Sequence, residues 1–252
     1  MAVPVEVPQM AQKLGCASGC PLQEATGHLA VIAFYFLLRS GEYTKPRKVK
    51  RNGKMVRATR TVQFRVRDIG FWKDGKILPR RSPLSLLLQA DSATMKITNQ
   101  KNGRTGQTLH QESTGSNGAV AALAHRVHHI LSHGGTEHCL LCEVCTAKDT
   151  WRSVQSSDMV QAVRRAAKTL NLHNRGIDPD MIGSHSLRAG GAMALKIMGE
   201  KDSTIRKFGR WTSDTWMMYI HSQISQLYKG VAQKMSTPIQ FHNIAFIEAP
   251  ST

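Results

Sequence analysis

Residues 183–221 read GSHSLRAGGAMALKIMGEKDSTIRKFGRWTSDTWMMYIH. Apolar residues recur at helical spacing over 187–198, which predicts a helix with His185 and Arg188 three positions apart at its start. Trp211 follows Arg188 by 23 positions and Tyr219 follows it by 31. Further helices are predicted over 204–208 and 214–227. An imidazole, a guanidinium, an indole N–H and a phenol thus recur in order along a helical stretch.

Upstream, the run FYFLLRSGEYT (34–44) ends a segment from Thr26 that is apolar nearly all round, so a buried helix is predicted. Gly41 is its expected C-terminal stop, which would put Arg39 on the last turn. Residues 1–25, with Pro4, Pro8, Gly15, Gly19 and Pro21, read as irregular chain with room for one short helix. Residues 45–60 are basic without an acid and lack a helical period, which predicts a loop or exposed hairpin turned at Asn52-Gly53. Alternation at Val62, Phe64, Val66 and Ile69 predicts a strand over 61–71, with a tight turn at Asp74-Gly75. A second hairpin, 92–100 with 107–112, turns near Asn102-Gly103. After Gly118 the pattern is helical to the end. The expectation is an α+β fold, mainly helical, with a small antiparallel β-sheet near the N-terminal third.

The 252 residues include 34 Lys and Arg against 17 Asp and Glu, a net charge of +17. A surplus of that size points to a polyanionic partner, most simply nucleic acid, because each neutralised phosphate releases a condensed counterion. The longest apolar run, 29–38, is about half the length that spans a bilayer. Residues 1–10 lack the basic start of a secretory signal. Five cysteines, an odd number, argue against a disulfide scaffold and for a reducing compartment.

The ordered set LLRSGEY, a lysine at a hairpin tip, HxxR, tryptophan and tyrosine resembles the catalytic domain of the tyrosine recombinase (phage integrase) superfamily. FYFLLRSGEYT is most similar to the eukaryotic Crypton and DIRS-type mobile-element branch. The resemblance covers about residues 26–222, with 1–25 an N-terminal segment and 223–252 a C-terminal tail able to exchange between protomers. It implies metal- and ATP-independent DNA strand cleavage and rejoining without a cofactor. Double-stranded DNA would be the partner, bound by four protomers, with a monomer allowed without DNA. The implied compartment is the nucleus for a eukaryotic chain and the cytoplasm otherwise. Recombinases of this kind carry an N-terminal core-binding domain, for which only about 25 residues are present here. The alternatives are a domesticated module that binds DNA without cutting it, and a type IB topoisomerase-like activity on one duplex.

The resemblance also implies roles. Tyr219 would be the nucleophile and His185 would accept its proton. Arg39 and Arg188 would grip the non-bridging oxygens through their planar forks. Trp211 would offer an uncharged N–H, and Glu42, close to Arg39, would orient an arginine or the imidazole. Lys101 would protonate the leaving 5′ oxygen, with Lys96 the runner-up. Lys45, Arg47, Lys48, Lys50, Arg51, Lys54 and Arg104 are the candidate phosphate contacts. Each has a plainer reading: a capping histidine, a structural arginine, core tryptophan, solvated lysines. Outside that pattern, His138, Cys139, Cys142 and Cys145 are weak candidates for a zinc site, the cysteines having CxxCxxC spacing; residues three apart on a helix also simply share a face. The expectation is therefore no metal.

Overall fold

The computed structural model describes residues 1–46, 61–98, 106–146, 150–213 and 217, and the main chain alone at 48–51 and 54–57. These lie in one compact unit, Met1–Ile220.

Two helices open the chain, α1 (Glu6–Ala17) and α2 (Pro21–Tyr35). Residues 1–25 are expected to be irregular with room for one short helix; α1 takes that place with 12 residues, and the helix expected from Thr26 starts earlier, at Pro21. The prolines permit helix here because Pro8 sits in the first turn of α1 and Pro21 at the start of α2, where a missing N–H costs no intrahelical bond. The two helices approach closely at glycines. A Cβ on Gly15 would lie 2.5 Å from the Gln23 carbonyl oxygen, and one on Gly27 would lie 2.6 Å from the Gln12 Cα. From Ala25 to Phe34 every residue of α2 is buried, as its all-round apolar pattern requires.

Helix α2 ends earlier than expected. Leu37 adopts a left-handed φ of 47°, which turns the chain away from the helix axis. Arg39 is consequently not on the last turn of α2 but caps a one-turn helix, α3 (Ser40–Tyr43). Gly41, read as a stop, lies inside α3. The Glu42 carboxylate reaches back to accept the Arg39 backbone N–H at 2.8 Å.

Strands β1 (Lys48–Arg51) and β2 (Lys54–Arg57) pair antiparallel with Arg51 opposite Lys54, the hairpin expected of the basic stretch. The strand expected over 61–71 begins only at Ile69. Residues 61–65 spend their backbone groups elsewhere: Phe64 N–H donates to the Glu42 main-chain carbonyl, and the Phe64 carbonyl accepts from the Leu141 N–H. Val66–Asp68 forms a 3-10 turn. Strands β3 (Ile69–Lys73) and β4 (Lys76–Leu78) join through Asp74 and Gly75, both at positive φ, as a tight hairpin turn demands. After the short α4 (Leu84–Leu87), β5 (Ser92–Lys96) and β6 (Thr108–Glu112) complete an antiparallel sheet of order β4-β3-β5-β6.

The chain is not helical from Gly118 onward. Between α5 (Ala119–Ser132) and α6 (Ser156–Thr169) lies a hairpin of β7 (Glu143–Thr146) and β8 (Thr150–Ser153). Its anchor is Arg126 of α5, buried to 2% exposure and donating to the carbonyls of Leu141 and Glu143. Those bonds satisfy backbone oxygens that would otherwise be buried unpaired. Then come α7 (Ser186–Ile197) and α8 (Asp202–Gly209). Helix α2 is the hub, packed by α1, α5, α6 and α7. Gly190 and Gly191 let α7 press on it: a Cβ on Gly191 would meet the Phe34 carbonyl oxygen at 2.4 Å. The fold is mixed α+β with small antiparallel sheets. No described helix is long and apolar enough to cross a membrane.

Candidate functional site

The turn after α2, the start of α3, α7 and the exit of α8 converge on one main-chain oxygen. The left-handed turn at Leu37 exposes its carbonyl to two guanidiniums, Arg188 and, at 2.9 Å, Arg210. Arg188 also donates to the Gly209 carbonyl, and its guanidinium carbon lies 4.0 Å from the centroid of the Trp211 ring. Arg210 reaches Glu42 Oε2 at 3.1 Å. Arg39 closes the ring, donating to Glu42 Oε1 at 3.4 Å and to the Arg210 carbonyl at 3.3 Å.

Local sequence explains the exit of α8. The Trp211 backbone N–H donates to the Arg206 carbonyl and the Arg210 backbone N–H to the Lys207 carbonyl, so the last carbonyls of the helix are satisfied. That closure needs a left-handed residue, and Arg210 supplies it with φ 62° at a cost of about 1–2 kcal/mol. Glycine stands one place earlier because a Cβ on Gly209 would fall 1.6 Å from Trp211 Cζ3. Gly209 is thus what allows the indole to lie beside Arg188, and the strain falls on Arg210.

Among the described residues, three guanidiniums share this site with one carboxylate. Arg188 and Arg210 are 2% and 1% exposed, and Glu42 is 2% exposed. Arg210 Nε and Nη1 are buried with no hydrogen-bond partner among the described residues. Burial pulls the Arg210 pKa down, and Glu42 opposes that fall. Positive charge in excess, with donors unspent, is an arrangement suited to an anion having several acceptor oxygens. Arg39 is the accessible member, with 21% of its side chain exposed.

The structure therefore brings together Arg39, Glu42, Arg188 and Trp211. His185 precedes α7 and is exposed; partial desolvation, the Arg188 charge and the chain's amino terminus lower its pKa from 6.5. A lowered pKa favours the neutral imidazole, the form that can accept a proton. Trp211 uses its ring face against Arg188, a packing role beside the donor role expected of its N–H. Lys101, Tyr219, Arg47 and Arg104 lie outside the described residues. Lys48, Lys50, Arg51 and Lys54 lie on β1 and β2, and Lys45 lies just before them, its N–H bonded to the Val154 carbonyl at 2.8 Å.

Arg210 was not singled out by sequence. The signal that could have found it is an arginine directly after a glycine and before the tryptophan, but its carboxylate partner is 168 positions away. Cys139, Cys142 and Cys145 form no cluster of ligand atoms at metal-binding distance among the described residues. Cys139 accepts from the Thr136 N–H, and Cys142 is buried in the core with its thiol pushed up to about 12 by desolvation. His138 instead lies against Arg67, its Nδ1 3.2 Å from the guanidinium. Compared with known proteins, the chain matches no family model and no curated protein.

Proposed function

We propose that the chain cuts and rejoins DNA through a covalent 3′-phosphotyrosine, in the manner of a tyrosine recombinase. The observation that carries this reading is the group of three arginines beside one carboxylate, Arg188 and Arg210 buried and Arg39 partly exposed, with two Arg210 nitrogens making no hydrogen bond among the described residues. In this mechanism the phosphodiester docks on Arg39 at the open side of the group. The Tyr219 oxygen attacks phosphorus, its proton passes to His185, and the bond to the 5′ oxygen breaks. Lys101 supplies the proton that the leaving oxygen takes up. Arg39 and the guanidiniums behind it stabilise the extra negative charge of the phosphorane, a role that needs no reorganisation when the donors are already in place.

Nicked duplexes that lose a short 5′-hydroxyl fragment after cleavage test the reading. A covalent protein–DNA adduct is expected with the native chain and none with Tyr219→Phe. Salt-sensitive binding without any adduct would leave a DNA-binding module instead. That second reading has its own support, because Arg188 commits both terminal nitrogens to main-chain carbonyls.

The basic hairpin adds a separate expectation. If Lys48, Lys50 and Arg51 each meet a phosphate, replacing all three with glutamine flattens the dependence of log K on log salt by roughly 2.7 units. Fluorescence anisotropy over a salt series measures this. An unchanged slope would remove the hairpin from the interface.

A further inference from the structure

Away from the arginine group, the crossing of α1 and α2 places three ligand-bearing side chains together. Cys16 is in the last turn of α1; Glu24 and His28 stand four apart on α2, and so on one face of it. The Cys16, Glu24 and His28 ligand atoms all lie within 4.8 Å of one another. The cause is the glycine crossing described above. Gly15 and Gly27 bring the helices into backbone contact, and their immediate neighbours Cys16 and His28 are thereby drawn together.

Cys16 Sγ and His28 Nε2 are 3.8 Å apart. A tetrahedral zinc ion with ordinary Zn–S and Zn–N bonds would hold these atoms about 3.6 Å apart. The donor set of one sulfur, one nitrogen and one carboxylate oxygen suits a borderline cation such as Zn²⁺ better than magnesium or calcium. The His28 ring is stacked on His125, with centroids 4.8 Å apart and planes 9° from parallel, so its orientation is set before any ion arrives. Cys16, His28 and His125 also line a cleft of about 700 Å³, which provides an entry route.

We infer that Cys16, Glu24 and His28 form a zinc site that fastens α1 to α2. Three protein ligands leave the fourth position to water. On binding, the Cys16 thiol releases its proton to solvent as the S–Zn bond forms. The clip has a structural consequence further along the chain. The segment before α1 lies against α7, where a Cβ on Gly190 would fall 2.0 Å from the Val3 carbonyl oxygen. Holding α1 down therefore holds Val3 against the helix that carries Arg188. The inference does not depend on the DNA-cleavage reading.

Cobalt(II) substitution in the full chain tests it. One equivalent of Co²⁺ is expected to give a thiolate-to-metal charge-transfer band that is absent in Cys16→Ser and retained in Cys139→Ser and Cys145→Ser. Zinc competing for that site should lose more affinity in Glu24→Gln than the roughly 10-fold that loss of an outer-shell partner costs. Zinc should also raise the thermal midpoint of the native chain and leave that of Cys16→Ser unmoved. No thiolate band, or a band that survives Cys16→Ser, would overturn the assignment. Cys16 is exposed, so its serine variant is expected to fold.

Discussion

Replacing Glu42 with glutamine is expected to destabilise the protein by about 3–5 kcal/mol, because it strips the one carboxylate from a buried set of guanidiniums. Glu42 accepts the Arg39 backbone N–H and both the Arg39 and Arg210 side chains. An amide in its place keeps one acceptor oxygen and turns an NH₂ toward donors. The Glu42 and Arg210 side chains are 3% and 0% exposed, so water cannot take over the lost role. Urea unfolding of native and Glu42→Gln chains measures the loss. A difference below about 1 kcal/mol would mean that the group is more solvated than its burial indicates.

The second large effect is on rate. Arg39→Ala is expected to slow formation of the covalent adduct by about 10²- to 10³-fold, with a change in stability below about 1 kcal/mol. The contrast follows from its position. Arg39 is partly exposed, and its contacts of 3.3 and 3.4 Å are long, so it can turn to a phosphate at small cost. Arg188, by comparison, is buried against two carbonyls and the Trp211 ring, and its removal would unsettle the fold before it informed on catalysis. Arg39→Lys should restore little, because an ammonium cannot make two parallel bonds to neighbouring oxygens. Single-turnover cleavage of the nicked duplex reads the rate, and denaturant unfolding reads the stability. Equal losses in both would assign Arg39 to the scaffold.

Much of the site could be read from the chain because its members sit in informative local settings. The apolar run of α2 declares itself buried, so an arginine and a glutamate following it stand out. The histidine–arginine pair sits where a helical period begins. Arg210 had no such frame: its partner Glu42 and its contact Leu37 are 168 and 173 positions away. The exact place of Arg39 was hidden too, since the turn that ends α2 is made by a leucine at positive φ where glycine is the usual cue. The hairpin of β7 and β8 escaped for a related reason. Its strands are four residues each, and a buried arginine from another helix anchors them.

Local pattern and composition alone therefore determined that the chain is a basic α+β protein built on one largely buried helix, and which side chains were available for chemistry. Tertiary structure alone decided which of them meet. It set Arg210 and Glu42 in one buried group, moved Cys16 and Cys142 into different surroundings, and joined Cys16 to His28 rather than to its neighbours in the sequence. Periodicity reports the face of an element that turns inward, a property of neighbouring residues. Hydrogen bonds between distant segments depend on backbone approach, here through glycines 15, 27, 190 and 191, and no local pattern encodes the partner they will meet.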